Sequence, residues 1–359
     1  MDERSFWVAW SRAPKLGGRR MLALASHFGS LAAAWEAPAA RLAQVESIGA
    51  AIAAELAAYR QSCRPQDVLG GVEHPRWRVL TWVDDDYPAP LRDLSDPPPA
   101  LYVMGELPDW ERAIAMVGAR APSAYGQRMA RRLAGELAGL GAVIVSGVAA
   151  GIDRAAHEGA LAVGPGRTVG VLGNGFHYVY PAANRDLYRA IAEGGALLTE
   201  YPPDVQAHKA HFPYRNRLIA GLSRGVIVVE ARRKSGSLIT VDHALEQGRQ
   251  VFAVPGPIDS ELSEGPHDLL KQGARLLAST QDVLDELGWA VTTAPASATP
   301  KGDDPTEQRI YELLAPGKRH IDALAAEAGL PPGQLGSVLV MMELKGYVQT
   351  LPGQHYQRA

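Results

Sequence analysis

The runs AVIVSG (142–147), TVGVLGNG (168–175), GVIVVEA (225–231) and QVFAVPG (250–256) decide the fold. A fifth run, AIAMVGAR (113–120), lies just upstream. Short Val/Ile-rich runs that end in tight turns and lead into helices are the units of an open, mostly parallel α/β sheet. Such sheets bind ligands at the carboxyl ends of their strands. Here those ends carry Gly, Ser, Asn, Arg and Lys, residue types that suit a phosphate-bearing ligand. They carry no Cys cluster, no His pair at metal spacing and no nucleophile–base pair. The expectation is a phosphate-binding sheet with no metal, no cofactor and no catalytic residues.

The chain has 359 residues, 47% hydrophobic, enough for two or three domains with cores of their own. A single cysteine, Cys63, excludes an internal disulfide and fits a reducing, cytoplasmic setting. No apolar run approaches the ~20 residues of a membrane span. The net charge of −3 is uneven. Residues 115–275 hold 18 Lys/Arg against 14 Asp/Glu, a surplus of four, whereas residues 1–110 hold 11 against 14. The sheet region is thus the basic part, and local rather than overall charge governs attraction of a polyanion.

Residues 1–70 read as a small helical domain, and VESIGAAIA (45–53) has the look of a helix–hairpin–helix turn. Its backbone N–H groups would suit a phosphate, but it lacks a second glycine and nearby cations, so a packing role is expected. Residues 71–110, rich in Pro and Asp, read as a connector, with Asp84, Asp85 and Asp86 as a solvated turn. The sheet domain is expected over 111–287 and a small-residue linker over 288–305. Residues 306–359 show three helical patterns and then GYVQTLPGQHYQ, the order of a winged helix. The third pattern, LGSVLVMMELKG (335–346), holds one Lys and one Glu. Reading DNA needs cations for phosphates and donors for base edges, so a protein contact or structural role is expected there.

Several segments bring candidate ligand groups to the strand ends. Arg120 directly follows a strand, where a guanidinium fork grips phosphate; a surface salt bridge is the alternative. SGVAAGIDRAAH (146–157) places Ser146 and Gly147 at a strand end, with Asp153 as an expected helix cap and His157 as its i+4 partner. Gly173, Asn174 and Gly175 form a turn that brings backbone amides close to a ligand. In HKAHFPYRNRLIAG (208–221), Lys209, Arg215, Asn216 and Arg217 surround Phe212. Cations interleaved with an aromatic suit single-stranded nucleic acid, the ring stacking on a base for ~1–3 kcal/mol; the alternative is a core Phe212 with paired arginines. Arg232, Arg233 and Lys234 precede Ser235-Gly236-Ser237 at a helix start, a candidate anion site or else a solvated loop.

These segments, in order and at their spacing, resemble the family of the DNA-processing protein DprA, also called Smf. The resemblance rests on MVGARAPSAYG, VIVSGVAAGIDRAAHEGAL, GNGFHYVYPAANRDLY, GGALLTEYPP, HFPYRNRLIAGLS, ARRKSGSLITVDHALEQGRQVFAVPG and LLKQGARLL, with YPAPLRDLSDPPPALYVMGEL upstream. It covers roughly residues 80–280. It implies an extended Rossmann-like sheet flanked by a SAM/helix–hairpin–helix-like domain and a winged-helix-like domain. It also implies homodimers, no enzymatic activity, and binding of single-stranded DNA in natural transformation. Members protect incoming strands and help the recombinase RecA load past single-strand-binding protein. The family's phosphate pocket maps onto Arg120, Ser146, Gly147, Gly173, Asn174, Gly175, Lys209 and Ser235–Ser237. Its base-contacting aromatic maps onto Phe212 and its Arg-Asn-Arg onto Arg215, Asn216 and Arg217. Two positions depart: Ala119 replaces a usual Ser, and His267 a frequent Asn. A nucleoside-monophosphate phosphoribohydrolase-like enzyme is the alternative, but its PGG-x-GT turn with a following Glu has no counterpart in RKSGSLIT (233–240).

Overall fold

The computed structural model describes residues 2–290, 304–315, 317–344, 347–351 and 353–358, and they fall into two compact units on either side of residues 291–303. Most of the expected linker therefore lies outside the described residues.

The larger unit is built on a nine-stranded sheet. Its strands are β1 (Arg78–Thr81), β2 (Ala100–Gly105), β3 (Ala113–Val117), β4 (Val143–Ser146), β5 (Thr168–Val171), β6 (Ala196–Thr199), β7 (Gly225–Val228), β8 (Gln250–Ala253) and β9 (Arg275–Leu276). They lie in the order β1-β2-β6-β5-β4-β3-β7-β8-β9. From β6 to β9 all neighbours are parallel, and β2 and β1 extend that edge antiparallel. The five runs singled out in the sequence are β3, β4, β5, β7 and β8.

Residues 71–110 are more than a connector, because they supply β1 and β2. Four residues, RVLT, between Trp77 and the Asp84–Asp86 turn are too few to show a pattern, and only pairing with β2 reveals the strand.

Along β3, alternate side chains enter opposite faces, which is the strand period of two. Ala113, Ala115 and Val117 join one core with Leu218 and Ile219 of the helix His211–Gly221 and Val241 of the helix Leu238–Glu246. Ile114 and Met116 join a second core with Leu133 and Leu137 of the helix Ala124–Gly139 and Ala155 of the helix Ile152–Leu161. Both faces are covered, which is why the parallel strands read as unbroken apolar runs. Each fully buried Leu or Ile contributes roughly 1.5–3 kcal/mol.

The N-terminal helices have their own core of Phe6, Trp10, Met21, Leu24, Leu31, Trp35 and Leu56. They nevertheless belong to the same compact unit as the sheet. Trp7 stacks on Trp82 at 6.4 Å, and Val8 enters the core over the outer strands.

The smaller unit is a winged helix. Helices Pro305–Leu313, Ile321–Ala328 and Pro332–Leu344 pack around Ile310, Leu324, Leu335, Leu339 and Met342. Short strands at Arg319–His320, Val348–Leu351 and His355–Arg358 form its sheet. The described part of its third helix carries Glu343 as its one charged residue.

Candidate nucleic-acid interface

In the parallel part of the sheet the chain first steps β3–β4–β5–β6 in one direction, then returns to place β7, β8 and β9 on the other side of β3. The reversal makes the gap between β3 and β7 the topological switch point, where open α/β sheets form a ligand crevice. A cleft of about 750 Å³ opens there. It is lined by the turn after β3 (Gly118, Ala119, Arg120), the loop after β7 (Arg232, Lys234, Ser235, Gly236, Ser237) and the start of the helix His211–Gly221.

Of the candidates, Arg120, Lys209, Phe212, Arg215, Asn216, Arg232, Lys234, Ser235, Gly236 and Ser237 line this cleft. Gly147 lines a smaller annex of about 90 Å³ that shares Arg120, Phe212 and Arg215 with it. Arg120, Lys209 and Lys234 are exposed and make no ion pair with another described residue, so their charge faces the cleft uncompensated. Arg232 pairs with Glu261 at 3.1 Å across exposed surface. The Ser235 and Ser237 hydroxyls hydrogen-bond to each other at 2.7 Å beside the first turn of the helix Leu238–Glu246.

Arg215 is the cleft's buried cation. Its Nη1 donates to the Gly147 carbonyl at 2.9 Å and to the Val171 carbonyl, tying the ends of β4 and β5 together. Burial pulls its pKa down to about 10, with Arg120 adding to the fall and Asp153 opposing it. Burial likewise raises the Asp153 carboxyl, against the pull of Arg215 and of its backbone donors.

Asp153 does not cap the helix, which starts after Gly151. Its Oδ2 instead accepts from the Gly147 and Ala149 N–H groups at 3.1 and 3.3 Å. A carboxylate of the chain itself thus occupies the turn's amide donors. Nor does His157 pair with Asp153: its ring meets the Thr168 hydroxyl at 2.7 Å, and that hydroxyl donates to the Ile144 carbonyl. His157 is fully buried, and burial lowers its pKa to about 3.

Six candidates line neither cavity. Ser146 is buried, its hydroxyl donating to the Met116 carbonyl at 2.6 Å. Gly173 receives the Phe212 ring: a Cβ there would stand 2.8 Å from Phe212 Cδ1. Asn174 is buried and its amide donates to the Gly175 and Tyr178 carbonyls. At Gly175 a Cβ would meet the Pro202 carbonyl at 2.0 Å. The GNG turn therefore seats an aromatic ring and a neighbouring loop rather than offering amides to the cleft. Arg217 points away and forms a buried two-pronged pair with Glu200 at 2.8 and 2.7 Å. Glu200 keeps it more firmly protonated than a free arginine despite burial. Arg233 pairs with Asp268 at 2.9 Å.

Phe212 is only partly buried at the head of its helix, with the Arg120 and Arg215 Cζ atoms 5.8 and 6.0 Å from its ring centroid. Sequence reasoning missed Tyr180, which lines both cavities. Its one signal was an aromatic in the loop between β5 and the next helix, where a core role was not required. At the two departures, Ala119 bridges by its backbone to Glu230 and Ile152, and the His267 ring bonds the Gly256 carbonyl at 3.0 Å.

Fold and cleft together define a doubly wound α/β protein with a cationic, aromatic-edged cleft at its switch point, carried in one chain with a winged helix. The chain belongs to the DprA (Smf) family: it matches DNA recombination-mediator protein A over residues 78–288 and the DprA winged helix domain over residues 294–354. The resemblance read from the motifs is thereby borne out. Protein Smf of Synechocystis sp. is 34% identical across 99% of both chains. The X-ray structure of DNA processing protein A from Streptococcus pneumoniae superposes with a TM-score of 0.68 at 33% identity, over 80% of this chain and 98% of that one. DNA processing protein A from Helicobacter pylori, described for its unique single-stranded DNA binding mode, gives 0.54 at 32% identity over 60% and 96%. Among the described residues no helix is long and apolar enough to cross a membrane.

Proposed function

We propose that this protein binds single-stranded DNA in the switch-point cleft and acts as a recombination mediator of natural transformation. In this reading it protects incoming strands in the cytoplasm and helps RecA load onto them past single-strand-binding protein, working as a homodimer and by positioning rather than by chemistry. The observation that carries the reading is the cleft itself. Arg120, Lys209 and Lys234, which make no ion pair with another described residue, line the same cleft as the partly exposed Phe212 ring. Cations that hold phosphates and a ring that stacks on any base are the means of sequence-tolerant single-strand binding. The solved Helicobacter pylori relative, described for single-stranded DNA binding, points the same way.

The phosphoribohydrolase reading has less support. Among the described residues Asp153 is the one carboxylate lining the cleft, and its Oδ2 already accepts two backbone N–H groups.

The test is a fluorescence-anisotropy titration of labelled single- and double-stranded oligonucleotides over a range of salt, followed by a RecA-loading assay on strands coated with single-strand-binding protein. Tighter, salt-sensitive binding to the single strand supports the proposal. Negligible binding to both overturns it and turns attention to hydrolysis of nucleoside monophosphates.

A further inference from the structure

Tyr180 has no part in the fold that requires a large ring. The residue is 46% exposed, and its hydroxyl makes no hydrogen bond to a described residue. Among the described residues its ring stacks on Phe212, with centroids 5.1 Å apart and planes 28° from parallel. Phe212 itself is only partly buried. Gly173 lies against its edge, and the Arg120 and Arg215 guanidinium groups stand within 6.0 Å of its centroid. Tyr180 is therefore the ring that a base approaching Phe212 from the open side meets first, and it borders both the cleft and the annex.

We infer that Tyr180 is a base-stacking residue of this site, its ring lying on that of Phe212 and offering its outer face to one base of a single strand while neighbouring phosphates rest on Arg120 and Lys209. The inference rests on the single-strand reading of the cleft. The physical reason is pre-organisation: a nucleobase stacks through its π-face on any flat ring, and the stack on Phe212 holds the Tyr180 ring with its outer face open to the cleft. A different role has the opposite signature. If Tyr180 merely covered Phe212 and had to swing aside, its removal would tighten binding.

The experiment measures the dissociation constant of a thymidine oligonucleotide, and of the same oligonucleotide with abasic positions, for wild type, Tyr180→Leu, Tyr180→Phe, Phe212→Leu and Arg120→Ala. Thermal unfolding followed by circular dichroism confirms that each variant is folded. Tyr180→Leu is expected to weaken binding to the thymidine strand by about 5- to 150-fold, the range for loss of one stacked base. Its salt slope should match wild type, Tyr180→Phe should bind like wild type, and the Tyr180→Leu penalty should vanish on the abasic strand. Tyr180→Leu binding equally or more tightly, while Phe212→Leu and Arg120→Ala weaken, overturns the inference and leaves the single-strand reading intact. Wild type that binds no strand overturns that reading and the inference with it.

Discussion

Arg215 and Arg217 show how two like residues separated by one position come to do different work. Residues i and i+2 on a helix point to nearly opposite sides. The helix His211–Gly221 therefore sends Arg215 toward the strand ends and Arg217 toward Glu200. Glu200→Leu strands Arg217 as an uncompensated buried charge, and removing one partner of such a pair costs about 3–5 kcal/mol. Urea melts should show that loss, while folded Glu200→Leu keeps its affinity for the single strand. His157 supplies a pH test. Its folded pKa of about 3 lies below the ordinary value of 6.5, so below pH 6.5 the unfolded chain takes up a proton that the folded chain refuses. The contribution is thus fully present above pH 6.5. It is lost as pH falls toward 3, by about 1.4 kcal/mol for each pH unit. His157→Gln removes this slope, so the stability gap between wild type and variant should narrow between pH 6.5 and 4.5. A gap that stays constant over that range would exclude the buried neutral histidine.

At the scale of the element, the turn between β4 and its helix is where sequence and structure part most clearly. SGVAAGID puts Ser146 and Gly147 at a strand end, and the resemblance places them in the phosphate pocket with Asp153 as a helix cap, yet Asp153 takes the Gly147 and Ala149 N–H groups and Arg215 the Gly147 carbonyl. The spacing from Gly147 to Asp153 was visible, but nothing local says that a carboxylate six residues on will turn back upon the loop. A Cβ on Gly147 would stand 2.6 Å from Arg215 Nη2 and 2.8 Å from Asp153 Oδ2. Gly147→Ala should therefore displace both groups, at an overpacking cost of about 1–3 kcal/mol. Anisotropy should show weaker binding of a single strand, because Arg215 borders the cleft. Unchanged affinity would mean that Arg215 serves the strand ends alone. The central strands were legible for the opposite reason: burial on both faces forces continuous Val/Ile runs such as VIVS and GVIV. β1 and the two-residue β9 were not, since their register comes from neighbours distant in sequence. Among site residues, the exposed cations and Phe212 were legible by type. The burial of Ser146, Asn174 and Arg217 was not, because a polar residue beside a glycine turn looks the same whether it faces a ligand or a carbonyl.

For the whole molecule the deciding quantity is where the charge lies rather than its sum. A chain of net charge −3 gains nothing from its overall field when it meets a polyanion. Attraction must come from the cleft, where Arg120, Lys209 and Lys234 are without acidic partners among the described residues, whereas Arg232 is partly neutralised by Glu261. Each phosphate neutralised on a single strand contributes about −0.7 to the slope of log K against log salt. Three cations with no acidic partner among the described residues in one cleft therefore predict a slope of about −2, and Arg120→Ala, Lys209→Ala or Lys234→Ala should each flatten it by about 0.7. Phe212→Leu should weaken binding and leave the slope alone, since stacking releases no counter-ions. The same arithmetic tests the proposed homodimer. Two copies that engage one strand present two clefts, so an oligonucleotide long enough to span both should give a slope of about −4, and a short one about −2. The second contact would then form at the effective concentration set by the first, raising the affinity for the long strand beyond what its extra length supplies. Equal slopes on long and short strands would mean that each copy binds alone.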